Sequence, residues 1–160
     1  MSSPTSITPD ALEPNVRSLL ELEGVGPSIV GQLRRPRLLR RLAAATDNAV
    51  TMLAAPAGAG KSTILAQWAE ETSGRCAWLC LEARHNNPST LLKSLVVAAQ
   101  RLAPDIEFDV DGVLALHGDV DLEWALASLV IKPLSSLSST AYLILDDYHT
   151  VDDEVIHRAL

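Results

Sequence analysis

The stretch that decides the fold is AAPAGAGKST, Ala54 to Thr63, which directly follows the apolar run NAVTML. Glycine takes backbone conformations that other L-amino acids resist, so a loop rich in glycine can approach an anion closely. The segment KSTILAQWAEETS, which begins at Lys61, has apolar residues at helical spacing. A strand, a glycine-rich loop and a helix in this order are the context that a phosphate-binding loop requires.

The polar residues of this loop each suit one part of a bound nucleotide. The N–H groups of the loop point inward, and the N-terminus of the following helix adds a positive end. Lys61 is predicted to reach the β- and γ-phosphates, the Ser62 hydroxyl to coordinate Mg²⁺, and Thr63 to hydrogen-bond the α-phosphate. The predicted cofactor-binding residues are Ala57, Gly58, Ala59, Gly60, Lys61, Ser62 and Thr63.

A second motif, YLILDD at residues 142–147, supports the first. Support is needed because Ala55 replaces the first glycine of the usual pattern G-x-x-x-x-G-K-S/T. The alternative to a phosphate-binding loop is the start of a helix with an incidental lysine. Ligands of open α/β sheets bind at the carboxyl ends of strands, where Asp146 and Asp147 lie. Asp146 is predicted to hold Mg²⁺ together with Ser62. Asp147 and Lys61 are the predicted catalytic residues, with Asp147 orienting or deprotonating the attacking water.

Composition indicates one acidic globular domain. The 160 residues are 48% hydrophobic and 21% charged, and the net charge of −7 argues against broad binding to nucleic acid or membrane surfaces. No apolar run reaches the roughly 18 residues of a membrane span, and the N-terminus lacks the features of a signal peptide. Cys76 and Cys80 have no cluster of His or Cys nearby, so they are predicted to be reduced core residues of a cytoplasmic protein.

Apolar strands alternate with helices along the chain, which predicts an α/β fold with a parallel sheet flanked by helices. Residues 1–32 are predicted to be a flexible leader, and residues 33–160 to form the domain. The predicted strands cover residues 49–55, 76–83 and 141–149. The predicted helices cover residues 35–45, 61–73, 89–103 and 121–137, the last kinked or ended near Pro133, and one more begins in DDEVIHRAL.

Several other residues have a functional and a structural interpretation. Arg35 and Arg37 could flank a nucleotide, but a solvated basic face is favoured. His149 could sense the γ-phosphate, but packing beside the strand is favoured. Trp68 and Trp78 are predicted to be core residues.

The two motifs resemble those of the large ATP-dependent LuxR-type transcriptional regulators, the maltose-regulator-like branch of the STAND P-loop NTPases. In that family alanine commonly stands where Ala55 stands in APAGAGKSTILAQW. The likeness covers about residues 33–160, although the family usually has acidic residues in the loop of His85 and Asn87. It extends over RPRLLRRL (35–42), AWLCLEARHNNPSTLLKSLVVAAQ (77–100) and LILDDYHTVDDEVIH (143–157).

The resemblance implies an ATP switch that binds ATP with Mg²⁺, hydrolyses it slowly and changes oligomeric state with an inducer. It also implies that DNA and inducer are bound by other domains, so no direct DNA binding by this chain is expected. In the family's fold a further strand lies between the strand that precedes the phosphate-binding loop and the strand that ends in the two aspartates, which is called the Walker B strand. The resemblance therefore predicts an incomplete sheet of about three strands, as in an N-terminal fragment, a truncated gene product or a split subunit.

An incomplete sheet leads to expectations about partners. Open apolar edges invite pairing, so self-association or a partner that completes the sheet is expected, with marginal stability and weak ATP affinity for the isolated chain. Two alternatives to the switch stay open: a small P-loop kinase, and a non-hydrolysing nucleotide-binding remnant or interaction subunit. Phosphate release would favour the switch, and phosphoryl transfer to an acceptor would favour the kinase. Binding without turnover would favour the remnant or interaction subunit.

Overall fold

The computed structural model describes residues 31, 33–46, 49–72, 75–106, 112 and 121–160. Apart from Gly31, the predicted leader lies outside these residues. Short 3₁₀ turns at Ala83–Asn86 and Tyr148–Thr150 follow the two strands, and residues Ala127–Ile131 form a π-helical segment. The elements are α1 (Pro36–Ala45), α2 (Lys61–Glu71), β1 (Arg75–Cys80), α3 (Pro88–Leu102), α4 (Leu122–Leu126), α5 (Lys132–Leu134), β2 (Ala141–Asp146) and α6 (Glu154–Ala159).

The strands β1 and β2 form a parallel ladder, which confirms the predicted parallel sheet. Arg75 is paired with Ala141 at one end of the ladder, and Cys80 with Asp146 at the other. The N–H of Leu81 extends the ladder by donating to the carbonyl oxygen of Asp146 at 2.9 Å. Parallel strands need a long crossover, which the helices between β1 and β2 supply.

Helices cover both faces of this sheet. On one face, α1 and α2 pack against Trp78 and Ile144, and the ring of Trp68 meets the ring of Tyr142 edge-on at a centroid distance of 4.7 Å. On the other face, α3, α4 and α6 pack against Leu79 and Leu145. The predicted α/β architecture is confirmed, and so are Trp68 and Trp78 as core residues. None of the helices within the described ranges is long and apolar enough to cross a membrane.

The helix boundaries follow from local chemistry. At the start of α3, Pro88 is the first helical residue, and the Asn87 side chain accepts a hydrogen bond from the N–H of Thr90 at 3.0 Å. The helix predicted to be kinked or ended near Pro133 ends at Leu134, one residue after that proline, and a π-helical segment at Ala127–Ile131 precedes it. Proline has no N–H to donate to the carbonyl group four residues earlier, so Pro133 interrupts the hydrogen-bond pattern of the helix.

The predicted strand over residues 49–55 is wrong. These residues pair with no strand in the part of the chain that the structure describes, and Val50 and Met52 are 72% and 77% exposed. β2 pairs with β1 along one edge, while a cavity separates its other edge from residues 49–53. An extended segment without a neighbour forms no ladder, so the described sheet has two strands rather than about three.

The two cysteines are free thiols, and both are exposed rather than in the core. Burial in β1 is confined to its three central residues, Ala77 to Leu79. Cys76 lies before this buried part and Cys80 after it. The prediction that both are core residues failed because an apolar run of sequence can extend beyond the buried part of a strand.

Candidate functional site

The glycine-rich loop leads directly into α2 through two left-handed residues. Gly58 has φ of +73° and Gly60 has φ of +83°, a region that glycine enters without steric cost. Gly60 is the N-cap of α2 and has no capping side chain, so the first-turn N–H groups from Lys61 onward have no partner from that residue. A Cβ atom at Gly58 would meet no atom within 4 Å, so the space beside this part of the loop is open.

Two cations contact the carbonyl groups of this loop. The Lys61 Nζ donates to the carbonyl oxygens of Ala55 at 2.9 Å and Pro56 at 3.2 Å. The Arg35 guanidinium donates to the carbonyl oxygen of Ala59 at 2.8 Å. Anionic acceptors bind such cations more strongly than neutral carbonyl oxygens do, so an incoming anion can draw both side chains from the loop.

Arg35 is exposed, as the favoured interpretation of a solvated basic face predicts, and its guanidinium also contacts the loop. Its guanidinium lies 3.4 Å from the position that a Cβ atom would take at Gly60, because the residue immediately before α1 reaches across to the loop. Arg37, two residues further on, is exposed as predicted. The sequence signal for Arg35 was its place just upstream of the loop, which did not distinguish it from Arg37.

The carboxyl end of β2 carries the two predicted aspartates. Asp146 is buried, and its Oδ1 accepts a hydrogen bond from the N–H of Asp147 at 3.0 Å. Asp147 adopts left-handed backbone angles of φ 55° and ψ 34°. Such a conformation is uncommon outside glycine, and strain of this kind concentrates at functional sites. His149 lies close by, with its Nδ1 3.7 Å from Asp147 Oδ1.

Asn86 ties together the loops that follow the two strands. Its Nδ2 donates to the carbonyl oxygen of Thr150 at 2.8 Å. Its Oδ1 accepts from the N–H groups of Asp152 at 2.8 Å and Asp153 at 3.1 Å. The sequence analysis gave Asn86 no role, and its one signal was its position in a turn directly after a predicted strand. The side chain therefore fixes the backbone just beyond the aspartates of β2.

The predicted site residues form two groups. Lys61, Ser62 and Thr63 lie in the first turn of α2, and Asp146 and Asp147 lie at the carboxyl end of β2. No hydrogen bond or ion pair joins the two groups among the residues described. The packing of α2 on β2, through the Trp68 and Tyr142 rings, sets how the groups are placed.

The surroundings of the Cys80 thiol favour its protonated form. Although the residue is exposed, partial burial of its thiol raises the pKa, and so do the hydrogen bond to Asp147 and the negative charges of Asp147, Asp146 and Glu82. The Sγ of Cys80 lies 3.6 Å from Asp147 Oδ2. Both burial and nearby anions disfavour the thiolate, which is the reactive form of cysteine.

Cys80 should therefore report on the charge of Asp147. In a Cys76→Ala background, we expect Asp147→Asn to lower the pH at which iodoacetamide alkylates Cys80, because a neutral amide no longer disfavours the thiolate. The alkylation rate as a function of pH, measured by mass spectrometry, checks this. Asp152→Asn removes the same charge from an exposed position and should leave the profile in place. A profile that stays fixed or moves upward in Asp147→Asn would contradict the prediction.

Comparison with known proteins relates this chain to transcriptional regulators. No protein-family model matches the chain. Over 126 residues it is 33% identical to the HTH-type transcriptional regulator MalT of Serratia proteamaculans, and 32% identical to the protein of that name from Yersinia enterocolitica. The matched stretch is 79% of this chain, and the chain spans 14% of the length of these relatives. Along that stretch the chain is homologous to MalT-type HTH transcriptional regulators.

Proposed function

We propose that this chain binds ATP with Mg²⁺ and serves as the nucleotide-switch module of a LuxR-type transcriptional regulator. The observation that carries the proposal is the loop itself. Its two left-handed glycines lead into a helix whose first residues are Lys61, Ser62 and Thr63. The homology to transcriptional regulators supports the regulatory part of the proposal. Because the relatives are far longer than this chain, sensing and DNA binding are assigned to segments outside it.

The donors of the loop suit a triphosphate. The uncapped first turn of α2 presents N–H groups at the positive end of the helix, which favours anions. Lys61 exchanges the carbonyl oxygens of Ala55 and Pro56 for oxygens of the β- and γ-phosphates. Arg35 likewise exchanges the carbonyl oxygen of Ala59 for a phosphate oxygen, which makes it a second cation for the nucleotide.

The oxygen atoms of Ser62 and Asp146 suit Mg²⁺, since hydroxyl, carboxylate and water oxygens are the ligands this ion prefers. Bound Mg²⁺ would neutralise charge on the phosphates. Asp147 orients or deprotonates the water that attacks the γ-phosphate. Its left-handed backbone and its contacts with Cys80 and His149 hold the carboxylate at the end of the sheet. Hydrolysis is proposed to be slow, as in a switch.

A titration with ATP tests this proposal. We expect saturable binding of a fluorescent ATP analogue that is stronger with Mg²⁺ than with EDTA, together with slow release of inorganic phosphate. Binding without phosphate release would favour a non-hydrolysing nucleotide-binding subunit, and transfer of phosphate to a small acceptor would favour a kinase. Failure to bind ATP up to millimolar concentration, in a chain folded by circular dichroism, would remove the nucleotide proposal.

A further inference from the structure

The side chain of Asn86 connects the turns that follow the two strands. Its Nδ2 donates to the carbonyl oxygen of Thr150, and its Oδ1 accepts from the N–H groups of Asp152 and Asp153, all at 2.8 to 3.1 Å. These contacts span 64 to 67 positions of the chain. One amide group therefore satisfies three backbone groups of the segment that directly follows the aspartates of β2.

Thr150 carries this constraint back to Asp147. The N–H and the Oγ1 of Thr150 both donate to the carbonyl oxygen of Asp147, at 2.9 and 3.0 Å. Among the described residues, Asp147 is the one non-glycine residue with a positive φ. Such a backbone persists only where the surrounding structure holds it. Asn86 and Asp147 are thus the two ends of one chain of hydrogen bonds, with Thr150 between them.

The turn that carries Asn86 is itself anchored in the core. His85 is fully buried, and its Nδ1 accepts from the N–H of Glu82 at 2.9 Å. Because Nδ1 is an acceptor, Nε2 carries the hydrogen of the neutral ring and donates to the buried Oγ of Ser94 in α3 at 3.2 Å. Asn86 therefore projects from a fixed support, so it can hold the turn of Asp147 instead of following its movements.

We infer that Asn86 is a positioning residue for ATP hydrolysis, which holds the turn of Asp147 in the conformation that turnover requires. The inference rests on the proposed function, in which Asp147 orients or deprotonates the attacking water. A misplacement of about 1 Å far from the reacting atoms can cost about a hundredfold in rate. None of the hydrogen bonds of Asn86 within the described residues goes to the phosphate-binding loop, so Asn86 should affect turnover and leave ATP affinity in place.

The variant Asn86→Ala tests this separation on the whole chain. We expect kcat for phosphate release to fall at least about tenfold, while the Kd of a fluorescent ATP analogue with Mg²⁺ stays within about twofold. Asn87→Ala is the matched control, because the neighbouring asparagine caps α3 and makes no hydrogen bond to the turn of Asp147. It should lower the Tm by a few degrees and keep kcat, which separates lost stability from lost positioning.

A pair of variants at Thr150 tests the second link. Thr150→Val keeps the shape of the side chain but removes the donor to the Asp147 carbonyl group, so kcat should fall about threefold or more. Thr150→Ser keeps the donor and should bring kcat back to within about twofold of the unmodified chain. This pair also decides the question if Asn86→Ala does not fold.

Hydrogen exchange without nucleotide measures the turn directly. In Asn86→Ala, the N–H of Thr150, which donates to Asp147, should exchange at least about tenfold faster, because the turn opens more often. The N–H of Leu81, which donates to Asp146 at the end of the ladder, is the internal control and should change little.

Four results would overturn the inference. Unchanged exchange at Thr150 in Asn86→Ala would show that the turn keeps its shape without this side chain. Faster exchange with full kcat would show that hydrolysis does not depend on the turn. A parallel loss of ATP affinity would assign Asn86 to nucleotide binding. Absence of phosphate release from the unmodified chain would remove the hydrolysis proposal and this role with it, and the exchange measurement distinguishes that case because it needs no nucleotide.

Discussion

Replacing Lys61 by alanine is expected to weaken ATP binding by about ten- to a hundredfold. A hydrogen bond to a charged group contributes roughly 1.5–3 kcal/mol, and every 1.4 kcal/mol is a factor of ten in affinity. The ammonium group of Lys61 already has two carbonyl acceptors, at 2.9 and 3.2 Å, so nucleotide binding exchanges neutral acceptors for anionic ones. A titration with a fluorescent ATP analogue in the presence of Mg²⁺ measures the effect.

Lys132→Ala is the matched control for this variant. Lys132 is exposed in α5, and its replacement lowers the net charge by the same amount as Lys61→Ala. We expect Lys132→Ala to bind ATP like the unmodified chain, which would separate local contact from long-range attraction. If Lys61→Ala kept full affinity while its circular dichroism spectrum stayed unchanged, the loop would not be the phosphate site.

The second large effect concerns the two aspartates at the end of β2. Asp146→Asn is expected to reduce ATP affinity in Mg²⁺ about tenfold or more, toward the value in EDTA, because a hard cation loses an anionic ligand. Asp147→Asn is expected to keep binding and lose phosphate release, because an amide cannot accept the proton of water. Asparagine tolerates the left-handed backbone of Asp147, so this variant should keep the local conformation.

Binding and phosphate release, each measured with and without Mg²⁺, distinguish these two roles. Asp152→Asn serves as the charge control, since Asp152 is exposed and follows the same turn. We expect it to match the unmodified chain in both assays. If Asp147→Asn abolished binding while Asp146→Asn had no effect, the two assigned roles would be reversed.

The features that the sequence predicted correctly depend on short-range chemistry. Pro88 and the capping side chain of Asn87 start α3 within one residue of the predicted position. β1 and β2 begin at Arg75 and Ala141, within one residue of the predicted starts, because their apolar runs are bounded by polar residues. Trp68 and Trp78 are buried, because large aromatic side chains usually lie where a helix packs against a sheet.

The features that the sequence did not predict depend on partners that are distant along the chain. An apolar run such as residues 49–55 becomes a strand only beside another strand, and no local signal states whether that neighbour is present. The contact of Arg35 with Ala59 joins residues 24 positions apart, and Asn86 reaches Thr150 over 64 positions. The left-handed backbone of Asp147 has no clear sequence signature, since aspartate only tolerates such angles.

The parallel ladder also determines when this protein can fold during synthesis. Cys80 and Asp147, which meet at the end of the ladder, are 67 positions apart, so α1, α2 and β1 leave the ribosome well before β2. Contacts between distant segments form slowly, because closing a long loop costs entropy before the contact stabilises it. Until β2 arrives, the side chains of Trp68 and Trp78 lack their partners Tyr142 and Ile144. The nascent chain is therefore most prone to aggregate, and most in need of a chaperone, during this interval of translation.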